Sequence, residues 1–430
     1  MRTVNNKRKE RGVQSQHAVC LLFPILLFLF SHFRGTFATL VRSVIENTRG
    51  LDSLFLWGLL ALLVVYSLPS VRNSLRAADV FAFCIIACGF IFSWFAGKDR
   101  YGLFAEVVQD ILFRCIPAYL LAISIRDYKY AASKMRYVAH VLVVIKLIDM
   151  IQSGAGGIFA DTARTAFYSQ FFGYVVLPAA SILIASLFRR MNVVDALFLL
   201  VAVAMIFLSG ARGPLLCVLG GVALMVVLKL RQNKKMAVLV IAGLLLVSVG
   251  LYAYWNQIIG GLLNFAQTIG FSTRSLNRIV DGTLLNDQWR NNASALAFDY
   301  ITSNPIIGSG LLNDRIYLYE TGQLAFTYAP RGAYPHNIFL EFMMQYGLVL
   351  GLALGIALLS MLWRSLFYFE DEDAIAVLFV TICTGFFPLL MSASYVNHQY
   401  FYAMMGVMVG MSRNLKTKPG MRWRWKPNVR

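Results

Sequence analysis

The residues best suited to chemistry are one histidine and a set of arginines that flank apolar segments. His336 lies in the polar sequence RGAYPHN (residues 331–337), directly before an apolar run, and Asn337 is a natural N-cap for a helix beginning there. Because a helix N-terminus disfavours positive charge, we expect the His336 imidazole to stay neutral near pH 7. A neutral imidazole can accept the proton of an attacking hydroxyl, as a general base must. A purely structural histidine is the alternative.

The second candidate is Arg212, in the tight turn SGARGPLL (residues 209–216) between two apolar runs. The two glycines of this turn allow a ligand to approach the backbone closely, and Pro214 suits the first turn of the following helix. The N-terminus of that helix carries a partial positive charge that favours an anion. The sequence therefore predicts an anion site at Arg212; an arginine that only reaches the lipid headgroups is the alternative.

The longest polar segment, residues 255–336, contains arginine but no lysine. Its arginines are Arg274, Arg278, Arg290, Arg315 and Arg331. The planar guanidinium pairs bidentately with phosphate, so an all-arginine set beside a membrane predicts a lipid-linked phosphate or diphosphate ligand. Arg290, next to Trp289, falls in the first turn of a predicted helix, where a cation is slightly unfavourable unless an anion offsets it. An ion pair with Asp281 or Asp287 is the alternative.

No cofactor is expected, because the acids of this segment are not closely paired and no His or Cys set has metal-ligand spacing. Three charged residues do share one face of the apolar segment 103–125 at intervals of four: Glu106, Asp110 and Arg114. Charges inside a membrane are functional by default. A structural ion-pair cluster explains these three equally well.

The elements that must position these residues are membrane helices. The chain has 430 residues, of which 58% are hydrophobic and only 14% are charged, against about 25% charged in soluble proteins. So few polar side chains could not cover a soluble surface, which excludes a soluble enzyme and a disordered or fibrous chain. The net charge of +18 does not indicate nucleic-acid binding, since Lys and Arg occur in short clusters between apolar runs, as in membrane topology signals.

Apolar runs of about 20 residues mark spanning helices. About twelve are present, at 18–33, 51–68, 78–96, 103–125, 137–152, 171–188, 193–209, 214–228, 236–254, 337–363, 374–391 and 397–412. Most Lys and Arg residues fall on the side of the N-terminus, so both termini are predicted to be cytoplasmic. The first run lacks a small-residue cleavage site and is read as an uncleaved span.

This pattern predicts an all-α integral membrane protein with one large helical loop outside the cytoplasm. The loop contains a predicted amphipathic helix over 287–303, ended by Asn304-Pro305. The predicted organisation is nine membrane helices in 1–254, the loop in 255–336, three membrane helices in 337–412 and a basic cytoplasmic tail in 413–430.

Three segments share their motifs with one known family. They are the turn at 209–216; the W-x3-A motif at 289–293 with NPIIGSG at 304–310; and PHN at 335–337 with Gly347 eleven residues after the histidine. Together they resemble the O-antigen ligase family, within the O-antigen ligase/polymerase superfamily of bacterial inner-membrane glycosyltransferases. One departure is that the superfamily often has an arginine four residues before the loop tryptophan, where this chain has Leu285.

The resemblance implies a C-type membrane glycosyltransferase architecture in the inner membrane, with the active site facing the periplasm. It implies an inverting, metal-independent transfer of O-antigen polysaccharide from undecaprenyl diphosphate to lipid A–core. Arg212 and Arg290 would hold the diphosphate, with Arg278 or Arg274 as alternative or additional ligands, and His336 would deprotonate the acceptor hydroxyl. Further candidates on the acceptor side are Arg331, Asn337 and Trp289.

Three other functions fit the sequence less well. An O-antigen polymerase typically has two comparably long outer loops, and this chain has one. A protein O-oligosaccharyltransferase uses a polypeptide acceptor. A twelve-span transporter more often has two similar halves joined by a cytoplasmic loop after the sixth span, whereas the long loop here follows the ninth.

Overall fold

The fold is all-helical in the part of the chain that the structure describes. A computed structural model describes residues 2–29, 51–97, 101–159, 170–209, 212–232, 288–321 and 330–417, and single residues between 242 and 281. These ranges contain helices and turns and no strand. The predicted span 236–254 lies almost entirely outside them, so the total of about twelve spans stays a prediction.

The helices follow the apolar runs of the sequence. In chain order they are α1 (Arg2–Pro24), α2 (Leu51–Ser74), α3 (Ala77–Gly97), α4 (Leu103–Asp110), α5 (Ile116–Ile123), α6 (Tyr128–Phe159), α7 (Gln170–Arg189), α8 (Val193–Leu208), α9 (Arg212–Gln232), α10 (Gln288–Ser303), α11 (Asn313–Glu320), α12 (Ile338–Tyr346), α13 (Leu348–Phe367), α14 (Glu372–Gly385) and α15 (Gln399–Thr417). A π-helical turn, Ile111–Cys115, joins α4 to α5, and another, Ile25–Leu29, extends α1.

Several helices are long and apolar enough to cross a membrane. Within the described ranges six qualify: Gly12–Leu29, Ala77–Phe95, Gln170–Arg189, Arg212–Leu230, Leu348–Phe367 and Glu372–Leu390. The apolar helix α8 is shorter. These segments make the chain a multi-pass membrane protein.

The centre of the helix bundle is formed by α7 and α14, which are buried along most of their length and pack against each other. Helix α9 packs on both, and its Gly221 lies so close to α14 that a Cβ there would be 3.0 Å from Cys383 Sγ. Small residues at helix contacts are typical of membrane bundles, where close packing replaces the hydrophobic effect. By contrast, α3 exposes Phe81, Phe92 and Phe95, as expected of a helix on the lipid-facing periphery.

The predicted continuous span 337–363 is wrong in one respect, because it is divided into α12 and α13. The break is at Gly347, whose φ of 82° lies in the left-handed region that favours glycine. A Cβ at Gly347 would be 2.4 Å from the Ile306 carbonyl oxygen. The segment 305–310 packs into the break through three backbone hydrogen bonds, from Ser309 N to Met344 O, Gly310 N to Gln345 O and Leu348 N to Pro305 O.

The predicted amphipathic helix is confirmed as α10, which ends at Ser303, before Asn304-Pro305. Its buried face consists of Ala293, Ala297 and Ile301, which pack against Leu340 and Met344 of α12. This contact fixes α10, which carries Arg290, against the helix that follows His336.

Candidate functional site

The candidate site is organised around Ser392, in the turn that follows α14. Its hydroxyl oxygen lies 3.2 Å from Arg290 Nη2, 2.9 Å from Gln170 Nε2 and 2.7 Å from the Tyr174 hydroxyl. Arg290 belongs to the first turn of α10, and Gln170 is the first residue of α7. One hydroxyl group therefore joins the starts of two helices that are distant in sequence.

The start of α9 lies against the same hydroxyl. A Cβ at Gly213 would be 2.3 Å from the Tyr174 hydroxyl and 3.2 Å from Ser392 Oγ, so only glycine fits there. Arg212 is the first residue of α9 and is half-buried, which places it at the predicted helix N-terminus. Pro214 is the third residue of α9 and lies within its first turn, not at its first position.

His336 reaches this turn through its neighbour Tyr334. The Tyr334 hydroxyl donates a hydrogen bond of 2.6 Å to the carbonyl oxygen of Ser392. The Tyr334 ring packs against the His336 imidazole, with ring centroids 4.3 Å apart. His336 has a left-handed backbone with φ 56°, which turns the chain into α12.

Asn337 is the N-cap of α12, as predicted. Its Oδ1 accepts hydrogen bonds from Phe339 N at 2.9 Å and Leu340 N at 3.4 Å. The cap satisfies two amides of the first turn and so fixes where the helix begins, directly after His336.

The electrostatics at Ser392 favour an anion. The N-terminal turns of α7, α9 and α10 meet there, and each carries the positive end of a helix dipole. Arg290 adds a full positive charge. Such an arrangement can bind a phosphate or diphosphate group through backbone amides and a guanidinium together.

A comparison with protein families assigns this region. Residues 196–355, from α8 into α13, match the family model described as O-Antigen ligase. This part of the chain is similar to the O-antigen ligase family. The match includes Arg212, Arg290 and His336, while Tyr174 and Ser392 lie outside it. A search of curated proteins gives no match.

Within the matched region, Arg315 is a buried structural residue and not an exposed ligand. Its Nη1 donates to the Arg331 carbonyl at 2.9 Å and its Nη2 to Ser394 Oγ at 2.7 Å. The guanidinium also lies 5.3 Å from the centroid of the Tyr334 ring. Arg315 therefore stabilises the segment that carries Tyr334 and His336.

Two buried carboxyl groups complete this support. Glu341 accepts a hydrogen bond from the Ser394 hydroxyl, and Asp314 accepts one of 3.0 Å from Gln345 Nε2. Burial raises the pKa of Asp314, while the nearby positive charge of Arg315 acts in the opposite direction. This hydrogen-bond network joins α11, α12 and the turn after α14, and it fixes the positions of these three elements relative to one another.

Arg331 joins the three charged residues of the segment 103–125 to the loop. Its guanidinium pairs with Asp110 and, at 3.3 Å, with Glu106. Asp110 also pairs with Arg114 at 3.3 Å. These contacts favour the structural interpretation of the cluster, and a role for Arg331 beside the acceptor stays a prediction.

The structure describes only some of the remaining predicted site residues. Arg274 and Arg278 lie outside the described residues, and Trp289 is described only by its backbone position in α10. In the placed parts of the chain no three His, Cys, Asp or Glu side chains form a group that could hold a metal ion.

The sequence analysis missed Gln170, Tyr174 and Ser392. A signal for Ser392 was available, because the polar sequence SAS interrupts the apolar residues after α14. Gln170 and Tyr174 open an ordinary apolar helix, and no local feature marks either of them.

Proposed function

We propose that the protein transfers O-antigen polysaccharide from undecaprenyl diphosphate to the lipid A–core oligosaccharide at the periplasmic face of the inner membrane. The family match supports the substrate class. The observation that carries the proposal is the convergence at Ser392 of Arg290, the start of α9 with Arg212, and the Tyr334–His336 pair.

The donor diphosphate would lie between Arg212 and Arg290, over the helix N-termini. Negative charge grows on the diphosphate as its bond to the sugar breaks, and fixed cations and amides stabilise that charge without having to reorganise. Arg274 or Arg278 could add a further guanidinium. On this proposal the arginines supply the charge stabilisation, and no cofactor is required.

The acceptor hydroxyl would lie beside His336. The imidazole takes the hydroxyl proton while the oxygen attacks the anomeric carbon, and undecaprenyl diphosphate leaves with the electrons of the broken C–O bond. Attack opposite the leaving group inverts the configuration of that carbon. The side chains of Arg331 and Trp289 are candidates to orient the acceptor. Asn337 fixes the backbone next to His336, the proposed general base.

The arrangement of charge along α7 supports this sidedness. The helix runs from Gln170 at the candidate site to Arg189, and Arg190 follows directly. Basic residues concentrate on the cytoplasmic side of membrane helices, so the opposite end, with Ser392, would face the periplasm. A C-type glycosyltransferase architecture of about twelve spans, with both termini cytoplasmic, is part of the proposal.

Reconstitution tests the reaction directly. The full chain in proteoliposomes, supplied with lipid-linked O-antigen and rough lipopolysaccharide, should convert the lipopolysaccharide into a ladder of longer species on a gel. Exhaustive treatment with EDTA should leave the rate unchanged. Elongation of the lipid-linked donor alone would show a polymerase, and activity lost on chelation and restored by magnesium or manganese would contradict the metal-independent mechanism.

Replacing Ser392 with alanine should lower the rate of transfer roughly tenfold, because Arg290 loses a hydrogen bond that orients its guanidinium. A hydrogen bond to a charged group contributes about 1.5–3 kcal/mol, and about 1.4 kcal/mol corresponds to a factor of ten. The measurement is kcat and KM in the reconstituted assay, with the thermal unfolding midpoint as a check on folding.

A matched control is Ser412→Ala, since Ser412 hydrogen-bonds to Met408 O within α15, 2.9 Å away. It should leave kcat unchanged. A Ser392 variant with normal kcat, or one whose lower rate is matched by the Ser412 variant, would remove Ser392 from the mechanism.

A further inference from the structure

A second polar cavity lies at the other end of α7. It has a volume of about 390 Å³ and is formed by α6, α7 and α14. Helix α7 has 20 residues and runs from Gln170 at the candidate site to Arg189 on the cavity rim, which at about 1.5 Å per residue corresponds to roughly 30 Å, the thickness of the bilayer core. The cavity therefore opens at the opposite membrane face from Ser392.

The rim of the cavity is strongly basic. Its cations are Lys129 and Arg136 of α6, Arg189 at the end of α7, and Arg190 directly after it. Glu372 is the acid among the lining residues. Ser133 and Ser186 also line the cavity.

Two of these cations are held by carboxylates and two are not. Arg136 pairs with the buried Asp195 at 2.9 Å, and Arg189 pairs with Asp373. In the part of the chain that the structure describes, Lys129 and Arg190 have no ion pair, and both are exposed. Their charges remain available to an anion at the cavity mouth.

The wall of the cavity is apolar. Met135 and Ile182 are buried beneath the rim, and Val377 and Val380 close the side formed by α14. A free phosphate ion gains nothing from such a wall. A phosphate that carries acyl chains can satisfy both the basic rim and the apolar wall, and basic pockets between membrane helices bind anionic lipid headgroups in this way.

We propose that this cavity binds the headgroup phosphate of an anionic phospholipid from the leaflet opposite to the candidate site. The phosphate lies between Lys129 and Arg190, and an acyl chain follows the wall of α14. The site is separate from the transfer site and does not depend on the proposed reaction.

The test compares lipid binding by the full chain and by Lys129→Ala/Arg190→Ala, a double variant that leaves the ion pairs of Arg136 and Arg189 intact. Native mass spectrometry in detergent measures bound phosphatidylglycerol, with phosphatidylcholine as the zwitterionic comparison. Each cation near a membrane surface contributes about 1 kcal/mol, so affinity for phosphatidylglycerol should fall roughly 10- to 30-fold. Phosphatidylcholine binding should be weak and unchanged.

A matched control removes two charges from the same face but outside the cavity. Arg72 and Arg76 are exposed at the end of α2, where Arg413 of α15 donates to the Ser74 carbonyl at 3.0 Å. Arg72→Ala/Arg76→Ala should bind phosphatidylglycerol as the unaltered chain does. An equal loss in both double variants would mean that only general surface charge is measured, and would overturn the site.

A second variant tests the cavity itself. Ser133→Trp keeps all four cations and adds a large side chain to the cavity lining, so it should lose phosphatidylglycerol with its unfolding midpoint preserved. Normal lipid binding by this variant would overturn the proposal. Displacement of the lipid by excess inorganic phosphate would show instead that the cavity recognises free phosphate, and would overturn the lipid assignment.

Discussion

Replacement of Arg212 with alanine should lower O-antigen transfer roughly 10³-fold, the upper end of the range for removing one donor that stabilises negative charge developing in the transition state. Arg212 is the first residue of α9, and the next residue, Gly213, packs closely against Tyr174 and Ser392. The guanidinium thus projects from a fixed point next to the helix dipole. The measurement is kcat with lipid-linked donor in proteoliposomes, at expression and insertion equal to those of the unaltered chain.

The conservative variant makes this test specific. Arg212→Lys keeps the charge but loses the planar fork, so it should recover little activity. Arg114→Ala removes the same charge from an exposed residue that pairs with Asp110, and it should transfer at a near-normal rate. Near-normal activity of Arg212→Lys would show that Arg212 serves only as a topology or headgroup residue.

The membrane helices could be predicted because the bilayer imposes a simple rule on sequence. Backbone groups in lipid must be hydrogen-bonded within the segment, so an apolar run of sufficient length has to be helical. The predicted span 78–96 is one residue shorter than α3 at each end. The predicted span 193–209 begins where α8 begins and ends one residue after it. The amphipathic α10 was predictable for a related reason, since its alanines and Ile301 recur on one face.

The interruptions of helices could not be predicted, because they depend on partners elsewhere in the chain. The predicted span 103–125 contains the π-helical turn Ile111–Cys115, which no residue of the segment indicates from the sequence. The break at Gly347 exists because the segment 305–310 packs there. Hydropathy records neither feature, since both exchange one hydrogen-bonding pattern for another within apolar sequence.

The residues of the candidate site also divide into those that a local sequence signal could predict and those that depend on distant partners. Asn337 and the turn at Arg212 carry local signals, because capping and tight turns select particular residues over a few positions. The role of Ser392 depends on its hydrogen bonds with Gln170 and Tyr174, which lie more than two hundred residues earlier in the chain. Arg315 was predicted only as one of a set of loop cations, and its burial against Ser394 depends on how α11 packs.

His336 should behave as a base when it is replaced. His336→Ala should slow the chemical step roughly 10²- to 10⁴-fold, the usual range for general acid–base catalysis. Affinity for undecaprenyl diphosphate should change little, because Arg212 and Arg290 hold the diphosphate on this mechanism. Transfer rate and donor affinity are measured on the same preparations, so that a loss of binding is distinguished from a loss of chemistry.

The backbone of His336 determines the best comparison variants. Its φ of 56° disfavours alanine, whereas asparagine tolerates the left-handed region well. His336→Asn therefore preserves the turn into α12 and can still form hydrogen bonds, but it cannot accept a proton at neutral pH; His336→Gln adds the reach of a longer side chain. Both should be as slow as His336→Ala if the imidazole is the base. A nearly full rate in either amide variant would show that His336 only orients the acceptor, and an alanine variant that fails to bind donor would make the histidine a phosphate ligand instead.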